Sequence, residues 1–322
     1  MSKCNGLEKS RRGYSNRFRS VLVVAIGLLT VSLTWWPAAA AADETRFGVA
    51  VCSTTQVADF VRQVVGDRWE VQSVLTPGSD PHTYQITPAD VQLVKNATLC
   101  FENGLHLEGA DWMKNLAADA GKKLVTCTDR IQPIVIEEQG QAVPVRDPHA
   151  WFDPANARIY VLNILDAVVA ADPDHEREYK ARTELYLGQL RNLNAWITKQ
   201  VNALPRERRV LVTSHDAFNY FCKAYGFESA APEGWSTGAE VGAGVTPASR
   251  AKAIESIRKF GVKAIFVETS VNPEVIKQMA TEAGVQIGGS LYSDSMGPPG
   301  SAGETYLGMM RENVLTIVQA LE

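Results

Sequence analysis

The segment Asp147-Pro148-His149-Ala150-Trp151-Phe152-Asp153-Pro154 sets one imidazole between two acidic Asp-Pro pairs. Upstream, Ser79-Asp80-Pro81-His82 repeats the Asp-Pro-His order. Two further segments, Ser214-His215-Asp216 and Ser293-Asp294-Ser295, each follow a β-rich run. Three neutral imidazoles and one carboxylate from His82, His149, His215 and Asp294 would make a borderline-soft, nitrogen-rich donor set. Imidazole suits zinc, copper, iron and nickel, whereas carboxylate favours harder ions such as manganese. Four protein donors with no open position is the closed pattern of a structural or carrier site. Binding through both Asp294 oxygens would raise the coordination number to five, which helps manganese.

A single histidine at a strand end is more often a hydrogen-bonded structural residue than a ligand. The recurrence carries the argument here, because three of the chain's five histidines stand at equivalent strand ends. His106, in a loop entering a helix, and His175, at the start of a long helix, read as solvated. Asp147, Asp153 and Asp216 are candidate acceptors for ring N–H groups, Asp216 being the nearest to a ligand along the chain. Glu240 sits in Gly-rich sequence and reads as a loop residue; Glu268 ends a strand and reads as lining the surface between lobes.

These residues need elements to position them. Apolar runs at 46–52, 70–75, 97–101 and 123–127 read as strands. They alternate with helical patterns at 54–64, from Thr87-Pro88, and at 107–120. Such alternation argues for a parallel sheet covered on both faces, where ligands bind outside the carboxyl ends of the strands. Residues 131–146 are irregular. Asp153 and Pro154 open a helix to about 170, and a second helix covers 174–203, roughly 45 Å at 1.5 Å per residue. Alternation then resumes, with strands at 209–213, 264–267 and 285–291 and helices at 218–225, 246–260, 273–283 and 305–321. The expected fold is therefore α/β in two lobes. Each is a mainly parallel sheet with helices on both faces, and one long helix joins them. The divisions are 43–173 for the N-terminal lobe, 174–203 for the helix and 204–322 for the C-terminal lobe. His82 would close one strand of the first lobe, and His215 and Asp294 two strands of the second.

Residues 1–42 differ from the rest. Lys3, Lys9, Arg11, Arg12, Arg17 and Arg19 precede an apolar run over 21–36, then Pro37 and five alanines. That is the layout of a secretory signal peptide cleaved near Ala42, and it places the remaining chain in a periplasm. Losing six basic residues and one acid (Glu8) takes the formal charge from −4 to −9. An acidic chain without a basic-aromatic patch argues against nucleic acid as a partner. With 45% hydrophobic and 21% charged residues the composition is that of an ordinary globular protein. Cys52, Cys100, Cys127 and Cys222 form no CxxC pair, so thiolate zinc sites are not expected, and buried small hydrophobes is the simplest reading. An exporting compartment leaves one disulfide open, with no pairing specified.

Four segments in order carry a family resemblance: Gly78 to Gln85, Asp147 to Pro154, Val212 to Phe221 and Gly288 to Gly297. They resemble the metal-binding receptors of bacterial ABC importers, the TroA-like group, and the likeness covers the chain beyond residue 42. It implies a bilobed, monomeric protein with a long helical backbone that holds Zn2+ or Mn2+ between its lobes. His82, His149, His215 and Asp294 would be the ligands. A membrane permease with a cytoplasmic ATPase would be the partner, and no P-loop occurs in this chain. Dedicated zinc receptors of the group usually carry a His- and acid-rich loop before the second ligand, and 131–146 contains no histidine. Many manganese receptors have Glu where His215 stands. The resemblance thus points to a branch that takes zinc or manganese. Two rival readings are an exported zinc-dependent hydrolase, which would need an open coordination position and a general base, and a surface adhesin.

Overall fold

In the computed structural model the described residues are 46–136, 145–229, 251, 254–255, 257–259, 261–270 and 273–322. Residues 1–42, expected to be a signal peptide, Glu240 and the first turn of the expected 246–260 helix lie outside them. β1 (Gly48–Cys52) is apolar and ends fully buried, so it must be covered on both faces. Thr54 turns the chain into α1 (Thr55–Val65), its hydroxyl accepting from the Val57 N–H. β2 (Trp69–Ser73), α2 (Pro88–Lys95), β3 (Leu99–Glu102), α3 (Trp112–Asp119) and β4 (Leu124–Thr126) follow. The four strands form one parallel sheet in the order β2-β1-β3-β4.

The helix expected at 107–120 begins later, at Trp112. Leu105, His106 and Asp111 adopt φ of 56°, 66° and 55°. A right-handed helix cannot pass through such residues. Residues 131–146 also depart from the irregular reading, because β5 (Val135–Ile136) and β6 (Val145–Arg146) pair antiparallel. Asp153 caps α4 (Pro154–Ala171), accepting the Ala155 N–H at 2.8 Å.

The long helix is α5 (Glu176–Val201), 26 residues, or about 39 Å at the usual rise. Tyr179, Tyr186, Leu190, Leu193, Ile197 and Val201 form its buried stripe. It packs on α1 and α4 and also on α8 (Tyr306–Leu321), the closing helix. One stripe therefore serves both the first sheet and the C-terminal part. Two further parallel pairs make up the C-terminal part, β7 (Val210–Leu211) beside β8 (Glu228–Ser229) and β9 (Ala264–Glu268) beside β10 (Gln286–Leu291), each a two-stranded sheet among the described residues. Both pairs are parallel, and the Phe266 N–H donates to the Val212 carbonyl at 2.9 Å, which stitches them together. α6 (Asn219–Tyr225) and α7 (Pro273–Ala283) complete the alternation, and the described residues from 251 to 259 are helical. β8 was not anticipated from sequence.

Residues Glu44–Glu322 form a single contact-rich unit. All four cysteines from Cys52 onward are free and buried. Among the described residues no helix is long and apolar enough to cross a membrane.

The α5 stripe can be tested directly. Leu190 is fully buried, whereas Leu185, on the opposite face, is 74% exposed. Leu190→Ala should lower the unfolding free energy by about 2–5 kcal/mol, and Leu185→Ala by less than about 0.5 kcal/mol, read from urea melts. Equal losses would mean that the helix buries another face.

Candidate metal centre

The two Asp-Pro-His segments use the same local device. Asp80 Oδ1 accepts the His82 N–H at 2.8 Å, and Asp147 Oδ1 accepts the His149 N–H at 2.9 Å. An aspartate that bonds the backbone two residues on closes a tight Asx turn, and this throws the following imidazole inward. The rings are treated differently. Asp147 Oδ1 also lies 2.8 Å from His149 Nδ1, whereas Asp80 uses its other oxygen on the Thr83 hydroxyl.

The backbone around each turn is pinned. Trp112 Nε1 donates to the Pro81 carbonyl and Asn103 Nδ2 to the Pro148 carbonyl, both at 3.0 Å. Gly109, at φ +48°, packs against His82. A Cβ there would stand 2.4 Å from the His82 carbonyl oxygen, so only glycine fits. The turn preceding Gly109 is anchored by buried Glu108, which accepts from Ser53 Oγ and from the Asn103 and Gly104 N–H groups.

His215 follows β7 and Asp294 follows β10. The His215 N–H donates to Glu268 Oε1 at 2.9 Å, and its Nδ1 lies 2.7 Å from Glu268 Oε2. That second approach is an ion-pair contact rather than an aligned hydrogen bond, since neither atom has a hydrogen-bond partner. The Asp294 loop is held from the first sheet's side. Gln56 Nε2 donates to the Ser293 carbonyl, the Met296 N–H to Thr55 Oγ1, and the Gly78 N–H to Ser295 Oγ.

The structure brings all four side chains predicted from sequence to one point. His149 Nε2 and His215 Nε2 are 3.4 Å apart, and each is 3.3 Å from an oxygen of Asp294. His82 Nε2 is 3.9 Å from Asp294 Oδ1, and one donor atom from each residue lies within 4.8 Å of the other three. Donors about 2.0–2.1 Å from a tetrahedral ion stand roughly 3.3 Å from one another. His149 and His215 are already at that spacing from each other, and each from one oxygen of Asp294. His82 Nε2 and Asp294 Oδ1 are buried without any hydrogen-bond partner, a costly arrangement unless something else satisfies them. Of the four, only the His82 side chain keeps appreciable exposure, 13% against 2% or less for the others.

Proton affinities follow from these neighbours. Burial drives His82 down to about 3, with the opposing pull of Asp294 outweighed. Burial opposes charge on His149 too, but the Asp147 hydrogen bond and Asp294 carry it up to about 9. His215 is raised well above the usual imidazole value against the same burial penalty, by Glu268 and Asp294. Asp294 is held well below the usual carboxylate range by His215 and His149, although burial alone would raise it.

Some expected roles moved. Glu268, read from sequence as lining the surface between lobes, instead stands beside the His215 ring, while Asp153 serves as the α4 cap, as its place before Pro154 predicts. Glu268 is fully buried in this role, at the carboxyl end of β9, the same edge that supplies the candidate ligands. That position was the signal available in the sequence. His106 is exposed, as expected. His175 is half-buried instead of solvated, with Nδ1 2.9 Å from Asp172 Oδ1.

Comparison with known proteins agrees with this architecture. The family described as zinc-uptake complex component A, periplasmic (ZnuA), matches residues 50–320. The zinc-binding protein TroA of Treponema pallidum is 36% identical over 306 residues, 93% of this chain and 96% of the relative. The manganese-binding lipoprotein MntA of Halalkalibacterium halodurans is 35% identical over 273 residues, 84% of this chain and 87% of the relative. Among solved structures, T. pallidum periplasmic zinc-binding TroA superposes with a TM-score of 0.78 at 32% identity, covering 85% of this chain and 99% of that one. A manganese-bound periplasmic metal-binding protein of Candidatus Liberibacter asiaticus gives 0.74 at 32% identity, over 85% and 100%. These relatives are metal-binding transport receptors, and nothing among them supports a hydrolase. With a match that runs nearly from β1 to the end of α8, this chain belongs to the ZnuA family of periplasmic zinc-uptake components.

Proposed function

We propose that the protein captures a divalent transition metal, zinc or manganese, outside the cytoplasm. It then delivers the ion as a monomer to an ABC-type membrane permease driven by a cytoplasmic ATPase. The metal is cargo, and the ligands are His82, His149, His215 and Asp294. The observation that carries this reading is their convergence on one buried point, with two donor atoms otherwise unsatisfied. Relatives named for zinc and for manganese support both ions. Four protein donors leave no open position for a substrate, which is what a carrier needs.

In this reading residues 43–173 and 204–322 act as the two lobes and 174–203 as the strut between them. Export is through cleavage near Ala42, in contrast with the relatives named lipoproteins. Cys52 is a buried strand residue and is not placed to carry a lipid. Mass spectrometry of the exported protein would show an unmodified N-terminus near Asp43; a diacylated cysteine would refute cleavage at that point.

Because the ion binds only the folded state, loading should raise the melting temperature by mass action. His82→Ala and Asp294→Ala should each abolish most of the rise and His106→Ala should not. Equal effects from all three would remove the assignment.

Glu268 should matter without touching the ion. Groups that orient a ligating imidazole typically contribute 10–100-fold to metal affinity, so Glu268→Gln should weaken zinc binding by about that factor in a competition titration. Unchanged affinity would rule out an orienting role.

Metal must also displace protons from His149 and His215. Both are raised without metal, His149 to about 9, and a proton competes wherever the pH lies below the metal-free pKa. Affinity should therefore keep rising as pH goes from 6 to about 9, losing ground steadily toward acid. Binding at pH 7.5 should release on the order of one to two protons, measurable from the buffer dependence of the binding enthalpy. Affinity that levels off at pH 7 with no proton release would contradict this.

A further inference from the structure

We propose that the groove between the C-terminal turn of α1 and the first half of α5 binds a phosphate-type oxyanion. Its walls carry three guanidinium groups: Arg46 just ahead of β1, Arg62 in the last turn of α1, and Arg182 on α5. The open groove has a volume of about 370 Å³, enough for a phosphate ion or a phospholipid headgroup. Trp69 and Glu70, at the start of β2, also line it. The groove therefore sits at the amino ends of the strands, at the opposite edge of the sheet from the metal centre.

Arg182 is the central observation. Its Nε is sealed from solvent without a hydrogen-bond partner, and no described residue pairs with its guanidinium. A buried cationic nitrogen with nothing to satisfy it is costly unless an anion supplies the missing acceptor. The neighbouring backbone is shaped to admit it. Gly66 has φ +57°, and a Cβ there would stand 2.5 Å from Arg182 Cζ, so the guanidinium occupies the place a side chain would take. The C-terminal dipole of α1 attracts a cation to this spot but gives Nε no acceptor.

The other two arginines have capacity to spare. Arg62 Nη2 donates once, to the Val71 carbonyl at 3.3 Å. Arg46 meets Glu70 only at 3.8 Å and in solvent, a contact worth little. The two carboxylates of the groove are Asp67 and Glu70, and Glu70 already accepts from Gln72 Nε2. Three arginines lining one groove in a chain of net charge −9 beyond residue 42 run against the overall charge. Guanidinium forks fit the paired oxygens of phosphate. Arg46 lies four residues beyond the expected cleavage point. An anionic headgroup could reach it at a membrane surface and inorganic phosphate from solution; the recognised chemistry is the same.

Two probes distinguish those sources. One is titration of the exported protein with inorganic phosphate at ionic strength held constant with chloride. The other is co-sedimentation with vesicles of phosphatidylglycerol in phosphatidylcholine, compared with phosphatidylcholine alone. The expected result is saturable binding of at least one probe. Arg182→Gln should weaken it on the order of tenfold, the loss that goes with one charge-assisted hydrogen bond. Gly66→Ala should act in the same direction by displacing the guanidinium. Zinc titration of Arg182→Gln should match the parent, which separates this site from the metal centre. Should Arg182→Gln fail to fold, exposed Arg62→Gln should show the same kind of loss. Absence of binding to both probes, or binding that the arginine variants leave intact, would overturn the proposal.

Discussion

The constraint on which the structure depends is the burial of three imidazoles against one carboxylate. Asp294, His149 and His215 are essentially inaccessible to solvent, where an unpaired charge is far more costly than in water. Each of these rings therefore comes with its own acid, Asp147 for His149 and Glu268 for His215. Asp294 serves both rings. The arrangement holds only if loops from both sheets are placed to within a fraction of an ångström. This accounts for the backbone pins on Pro81, Pro148, Ser293 and Met296.

Parallel sheets make such placement natural. Their carboxyl ends face one way, and each strand delivers a loop to the same edge. Here β7, β9 and β10 of the two C-terminal strand pairs contribute His215, Glu268 and Asp294, while the loop after β2 of the four-stranded sheet brings His82. α5 then packs on helices that flank both, through a single apolar stripe. Crosswise bonds from α1 to the Asp294 loop add polar contacts between parts of the chain more than two hundred residues apart.

Much of this was legible in the sequence because the signals were local. Alternating apolar runs located the main strands, and Thr87-Pro88 and Asp153-Pro154 marked helix starts that the structure places at Pro88 and Pro154. The Asp-Pro-His order carried an Asx turn in its own spacing, so His82 and His149 could be singled out before any contact was known. What escaped were features decided by distant partners. β5, β6 and β8 are two residues each and exist only through pairing. The late start of α3 depends on Leu105, His106 and Asp111 taking a left-handed backbone that their side chains do not announce. Glu268 reaches His215 across 53 residues, and proximity along the chain pointed instead to Asp216.

The charge pattern also says what metal capture requires of the site. Without metal, His149 and His215 are the rings whose neighbours favour a proton, while His82 is held neutral by burial. The protons that Asp147, Glu268 and Asp294 favour on these rings supply positive charge of the kind a divalent ion would bring. In the proposed reading the ion would take the place of protons on these rings, and the surrounding carboxylates suit both states. Under the proposed assignment neutral His82, the ring with the most solvent access, would bond an arriving ion first. A site balanced in this way distinguishes divalent ions little by charge. Discrimination between zinc and manganese then falls to coordination number, through the one-oxygen or two-oxygen reach of Asp294 and the longer approach of His82.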